Sequence, residues 1–291
     1  RQAVAAGVLV NAESERDIRL LAAAGQALGC PARFAIRVNP DFDLKSSGMR
    51  MGGGAKPFGI DEEKVGTLLR QANQPGLNFE GLHFYTGSQS LSGVALAQAL
   101  RAAWALACRL APLAAVPPKS INLGGGFGIP YFPGEARLDT TPVATALAEI
   151  AADARTRFGS IDLILELGRY LVGEAGIYVT RIVDRKQSRG HVFLVTDGGL
   201  NHHLAASGNF GQVLRKNYPL AIGNRMGAPA AAAPVSIVGP LCTPLDLLGD
   251  NVLLPDAEPG DLVVVFQSGA YGASSSPQAF LGHPAVTEIL V

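Results

Sequence analysis

The chain has 291 residues, 48% of them hydrophobic and 16% charged, with 24 basic and 24 acidic side chains and no formal net charge. That length is ample for a buried core in one large domain or two ordinary ones. The neutral balance gives no footprint for nucleic acid or an anionic membrane surface. No uninterrupted apolar run reads as long enough to span a bilayer, and the longest alanine stretch, Ala228–Ala233, is short and broken by Pro229. The three cysteines, Cys30, Cys108 and Cys242, are far apart and odd in number, which argues against a disulfide framework or a zinc site and fits a reducing cytoplasm.

The amino terminus, Arg1–Gly7, reads as the end of a helix followed by its C′ glycine, not as a signal peptide. A chain that opens inside a helix without a starting Met is expected to come from something longer. Val8-Leu9-Val10-Asn11 is a short strand. Ile18, Leu21, Ala22 and Leu28 then follow helical spacing after Ser14, with Gly29 as the stop and Gly25 weakening the same face. Phe34–Asn39 is the next strand, closed by Pro40, and a helix is predicted from Asp61 with Val65, Leu68 and Leu69 on one face. The strand Gly81–Tyr85 precedes a long Ala/Leu-rich helix to about Leu113. Ser120–Leu123 and Leu163–Leu165 are two more strands, separated by a helix to about Phe158 with Thr141-Pro142 as its N-cap and first residue.

Successive strand–helix units predict a parallel sheet whose carboxyl ends carry polar or glycine clusters, the usual place for a site. After Gly176 the pattern becomes β-rich: Ile177–Val183, His191–Val195, Val235–Val238, Val252–Leu254 and Leu262–Gln267, with Leu204–Leu220 ambiguous. A boundary near Gly173 therefore divides a βα layer, residues 1–173, from an antiparallel β domain, residues 174–291.

Gly124-Gly125-Gly126-Phe127-Gly128 follows a strand directly, where glycines let the backbone approach a ligand and turn its N–H groups toward an anion. A tight turn without a ligand has the same composition. The run lacks the Gly-x-Gly-x-x-Gly spacing of a dinucleotide site and the Lys-Ser/Thr ending of a P-loop. Thr86-Gly87-Ser88-Gln89 offers a small hydroxyl at a strand end, again as phosphate contact or simple turn. Glu166-Leu167-Gly168-Arg169 places both charges at a strand end, suited to a ring nitrogen and a phosphate, or to a plain ion pair. Cys242, in Gly239-Pro240-Leu241-Cys242-Thr243, and Tyr271, in Ser268-Gly269-Ala270-Tyr271-Gly272, each have an ordinary core reading. His202-His203 is not read as a metal site, because neighbours on one strand point to opposite faces and no third ligand is suitably spaced.

In this order the motifs resemble the fold-type III decarboxylases that use pyridoxal 5′-phosphate (PLP), the group of the diaminopimelate, ornithine and arginine decarboxylases. The likeness covers essentially the whole chain. NLGGGFGIPYFPGEARLD, LELGRYLVGEAGIY, VTDGGLNHHLAASGNFGQV and VVFQSGAYGASSSPQAFLGHP are most similar to the exosortase-system-associated members. The resemblance implies an alanine-racemase-like (β/α)8 barrel, followed by a β domain, in a head-to-tail homodimer with shared active sites. It implies that Ser88, Gly125, Gly126, Gly168 and Arg169 hold the phosphate, joined by the Tyr271 hydroxyl. Glu166 would pair with the pyridine nitrogen. Cys242 would reach the partner subunit's site and help protonate the carbanion left after carbon dioxide departs. No metal is implied.

The chain departs from the family pattern at four points. The Schiff-base lysine, set in Tyr-Ala-x-Lys-Ala-Asn, matches none of Lys45, Lys56, Lys64, Lys119, Lys186 or Lys216. The pattern places it before Arg1, with about three of the barrel's strands, so these residues alone are expected to be inactive. The usual His-x-Gly-Ser reads Tyr85-Thr86-Gly87-Ser88, so Tyr85 takes the place of the stacking histidine; His83 lies two residues earlier and is not its equivalent. Thr243 stands where an acidic residue normally meets the distal ammonium of a basic substrate, which shifts the expected substrate toward an acidic, neutral or carrier-linked amino acid. Leu167 replaces the proline of Glu-Pro-Gly-Arg. The competing readings are a non-catalytic relative that binds a partner and an amino-acid racemase of the same fold.

Overall fold

The computed structural model describes residues 1–43, 49–50, 52–210, 212 and 215–291. They form two compact units, one of Arg1–Gly128 with Arg137–Leu167, the other of Ile129–Ala136 with Gly168–Val291. Lys45, one of the lysines without the Schiff-base setting, lies outside the described residues.

The first unit runs α1 (Gln2–Ala5), β1 (Val10–Ala12), α2 (Glu15–Leu28), β2 (Ala32–Asn39), β3 (Met49–Arg50), β4 (Ile60–Asp61) and α3 (Glu62–Arg70). It continues through β5 (Leu77–Phe84), β6 (Gly87–Ser88), α4 (Gly93–Leu110), β7 (Ser120–Asn122), α5 (Thr141–Phe158) and β8 (Asp162–Ile164). The five expected strands pair in the order β1-β2-β5-β7-β8, all parallel, and β4 adds to β2. Phe34, Ile36, Leu82, Phe84 and Ile121 are fully buried on these strands. Parallel strands covered by helices read as continuous apolar runs for that reason.

The helices start where their caps dictate. Ser14 Oγ accepts the Asp17 N–H at 3.1 Å to open α2, and Gly29 closes it at φ 65°. Ser92 Oγ accepts the Ala95 N–H at 3.2 Å to open α4. The α5 cap falls one residue before the expected Thr141, at Thr140, which makes no side-chain cap bond; the Asp139 carboxylate accepts the Thr141 N–H at 2.9 Å. The stretch Gly93–Leu113 is long and apolar enough to cross a membrane by length and composition, contrary to the sequence reading. Half of it is buried, and Trp104 donates to Asp153 of α5 at 2.8 Å and packs edge-on against Phe158, the behaviour of a core helix.

The second unit contains α6 (Arg169–Val172), β9 (Tyr178–Ser188), β10 (His191–Thr196), β11 (Leu220–Ile222), β12 (Val235–Val238), β13 (Leu247–Val252) and β14 (Leu262–Val265). Its sheet has the order β11-β14-β9-β10-β12-β13. Neighbours are antiparallel except β10 and β12, which run parallel, so the expected β domain has a mixed sheet. The strand predicted at Val252–Leu254 instead ends at Val252. Gly249, Asp250 and Asn251 hide it in sequence, and its pairing with β12 shifts register twice. The ambiguous stretch Leu204–Leu220 forms turns over residues 204–210, has no regular structure in its remaining described residues before Leu220, and enters β11 at Leu220. The pattern change near Gly173 lies inside this unit, which begins at Gly168 and also takes Ile129–Ala136. Ile129 and Tyr131 are buried with Tyr178, Ile182 and Tyr218, a long-range packing that local pattern does not report.

Candidate active site

Register builds the centre of the first unit. His83 of β5 is level with Asn122 of β7, and Asn122 with Ile164 of β8. Glu166 lies two residues beyond Ile164, and side chains two apart on an extended chain share a face. Both neighbours converge on one atom of its carboxylate. The His83 imidazole Nε2 and the Asn122 amide Nδ2 each lie 2.8 Å from Glu166 Oε1. Oε2 has no hydrogen-bond partner among the described residues. The hydrogen bond from His83 holds the Glu166 carboxyl below the usual carboxylate range; burial opposes this, while Asn122 and the charge of Arg37 add to it.

Asn122 also ties this carboxylate to the glycine run, since its Oδ1 accepts the Gly124 N–H at 2.9 Å. The Glu166 N–H donates to the Gly124 carbonyl at 2.8 Å. A Cβ on Gly125 would run into the Glu166 carbonyl, and one on Gly124, at φ 77°, into that of Phe84. Two of these glycines are therefore fixed by backbone approach. Farther along, the Gly126 carbonyl accepts from Ser90, and the Ser90 carbonyl from Gly128.

Ser88 is buried in β6, which pairs antiparallel with β3. Tyr85 lies just beyond β5 and is half-buried, with the Arg37 guanidinium 5.9 Å from its ring centre. Arg37 is itself paired with Glu13 at 2.8 Å. Sequence reasoning set His83 aside as a non-equivalent residue and passed over Asn122. The available signal was positional: both stand at the ends of adjacent parallel strands.

In the second unit Arg169 opens α6 directly after Gly168. Its guanidinium lies 4.9 Å from the ring centre of Tyr271 and 5.8 Å from that of Tyr131. The Gly269 N–H donates to the Gly173 carbonyl, and the Ser268 N–H to that of Gly176, which brings the tyrosine loop to α6. Tyr271 has a left-handed φ of 57° and packs beside Phe210. Its side chain is exposed, so it does not serve as core filling.

Cys242 is an exposed thiol on a loop clamped by Asp246. The Asp246 carboxylate is buried and accepts the Leu200 N–H at 2.6 Å and the Leu241 N–H at 2.8 Å. Gly199 and Gly239 lie so close that a Cβ on either would meet it. The Asp-Gly-Gly and Gly-Pro-x-Cys motifs are thus two sides of one carboxylate clamp, and Asp246 is a residue the motif reading missed. His202 and His203 lie in a turn rather than on the strand assumed for them, each donating its N–H to the Gly199 carbonyl. Their rings pair with Tyr178 and Pro284, and with Ser268 and Ala206, respectively.

Residues 1–173 match the family model described as the pyridoxal-dependent decarboxylase, pyridoxal binding domain. The L-glutamyl-[BtrI acyl-carrier protein] decarboxylase of Niallia circulans is 39% identical across 99% of this chain and 68% of its own length. The diaminopimelate decarboxylase of Thermoplasma acidophilum is 31% identical across 90% of the chain, which spans 60% of that relative. The 2-[(L-alanin-3-ylcarbamoyl)methyl]-2-hydroxybutanedioate decarboxylase of Staphylococcus aureus is 28% identical across 98% of the chain and 72% of its own length. Among solved structures, diaminopimelate decarboxylase from Helicobacter pylori, complexed with L-lysine, superposes with a TM-score of 0.81 at 26% identity, covering 96% of this chain and 67% of that one.

Proposed function

We propose a carrier-linked amino acid as the substrate of this chain, which belongs to the pyridoxal-dependent decarboxylases. The family's reaction is loss of carbon dioxide from an amino acid, and its cofactor is PLP. The fold is the alanine-racemase-like barrel, whose strands form the parallel sheet, with a β domain after it.

The observation that carries the cofactor reading is the Glu166 carboxylate, ionised, with Oε1 saturated and Oε2 remaining for a ring nitrogen. This donor set fits a protonated pyridine. When bound, PLP supplies an electron-withdrawing ring that takes up the electrons released as carbon dioxide leaves. A carboxylate at the ring nitrogen sustains that withdrawal. In the first unit Ser88, Gly125 and Gly126 are assigned to phosphate by their motifs, and Tyr85 to the ring face. In the second unit Arg169, flanked by Tyr131 and Tyr271, is a fixed planar cation of the kind that grips phosphate.

Thr243 supports a substrate without a distal ammonium, because a neutral hydroxyl offers no charge to meet one. The similarity to the Niallia enzyme, acting on a glutamyl group carried by an acyl-carrier protein, supports the carrier link. The test is to give the full-length, PLP-loaded protein L-glutamyl acyl-carrier protein beside free diaminopimelate, lysine and ornithine. Loss of one carbon dioxide from the carried amino acid, seen by mass spectrometry, is expected. Turnover of the free basic amino acids alone would overturn the proposal. Retained carboxylate with inverted chirality would make the protein a racemase.

The four similar stretches support an exosortase-associated role, which predicts exosortase genes beside this one. The three unpaired thiols suit a cytoplasmic setting.

A further inference from the structure

We infer that His83 is a positioning residue for Glu166: with Asn122 it fixes one carboxylate oxygen and so dedicates the other to the cofactor's ring nitrogen. This rests on the PLP reading above. His83 is only 4% exposed, and its Nε2 meets Glu166 Oε1 at 2.8 Å. Its Nδ1 is buried with no partner. A buried N–H without an acceptor is rarer and costlier than a bare acceptor, so the proton resides on Nε2 and is donated to Glu166. A side chain serving only to fill the β5 face would do so better as leucine or phenylalanine, without an unsatisfied nitrogen. The histidine is accounted for by the bond it makes.

Two donors on Oε1, from the adjacent strands β5 and β7, resist rotation of the carboxylate, because turning it breaks both bonds. The charged and titratable groups acting on Glu166 are His83 from β5 and Arg37 from β2. Asn122 from β7 adds a neutral donor. Among these His83 contributes most to keeping the carboxyl ionised. An ionised Glu166 is the state that holds a ring nitrogen protonated.

The test uses the full-length protein carrying His83→Phe and His83→Gln, with His83→Leu as a second apolar variant should phenylalanine not fold. In the cofactor-free protein, carbon-13 NMR follows the Glu166 carboxyl, assigned by its disappearance in Glu166→Gln. The apolar variants should raise its titration by about one pH unit or more, whereas His83→Gln, which returns an N–H donor, should keep it low. With nitrogen-15-labelled PLP, the ring nitrogen should read as pyridinium in the wild type and His83→Gln, and shift toward neutral in the apolar variants. For those variants kcat should fall with KM little changed. An unchanged Glu166 titration and ring-nitrogen signal in the apolar variants would overturn the proposal. Failure of the wild type to take up PLP would instead overturn the cofactor reading, and the cofactor-free titration still decides whether His83 governs Glu166.

Discussion

The His203 imidazole is locked in one tautomer. Its Nδ1 accepts the Ala206 N–H at 3.1 Å, so the proton sits on Nε2 and is donated to Ser268 Oγ at 2.9 Å. Protonating Nδ1 would break the Ala206 bond inside a buried site, and burial pushes the group down to about 4. The unfolded chain would take up that proton near the ordinary histidine value of 6.5, well before the folded one does. Between those values the unfolded state binds more protons, so stability falls as pH falls through the window. The loss from this group should be about 2 kcal/mol between about pH 7 and about pH 5, and it should level off near 3 kcal/mol below about pH 4. His203→Gln should be less stable at neutral pH, having lost the Nδ1 acceptor for the Ala206 N–H, yet its stability should depend less on pH. Urea unfolding of both proteins at the two pH values measures this. Parallel pH dependence in the two would show that His203 titrates normally. The same geometry explains why a histidine pair that invites a metal reading has other work: both rings are bonded within the unit.

At the scale of elements, α2 shows how packing can reverse a propensity. Alanine in place of a mid-helix glycine ordinarily stabilises by about 0.5–1 kcal/mol. Gly25 is buried, and a Cβ there would drive into the carbonyl of Gly76, the same carbonyl that accepts the N–H of Ala32, the first residue of β2, at 2.8 Å. Gly25→Ala should therefore destabilise, by about 1–3 kcal/mol as an overpacked contact does, and a thermal melt of the variant gives the sign directly. The sequence carried the existence of this helix in its Ser14 cap, its apolar spacing and Gly29, but read Gly25 as a weakness because the partner carbonyl is distant in the chain. The site divides in the same way. Glu166, the glycine run, Arg169 and Tyr271 were legible because each belongs to a local motif. His83 and Asn122 were not, since what joins them to Glu166 is register across three strands. Asp246 escaped notice because its role is to accept backbone N–H groups from two loops, which leaves no residue pattern around it.

For the molecule as a whole, a shared active site would need two chains. From the family likeness we propose a homodimer in which Cys242 serves its partner's site; in the second unit Cys242 is an exposed thiol on a loop that the Asp246 carboxylate holds. A thiol needed only for packing would be buried. A thiol that works on another subunit must instead be exposed and held still in the free chain. Shared sites make a prediction that separate sites do not. Glu166→Ala and Cys242→Ala full-length proteins should each be nearly inactive, the first through the ring nitrogen and the second through the proton delivered to the carbon that loses carbon dioxide. Mixed dimers hold one site with both defects and one with neither. Unfolding and refolding the two variants together in equal amounts should make half the dimers mixed and return about a quarter of wild-type activity. If Cys242 serves the site of its own chain, every site in the mixture carries one defect and no activity returns. A monomer by light scattering at assay concentration would remove the premise of the shared site, and the exposed thiol would then have to act within its own chain.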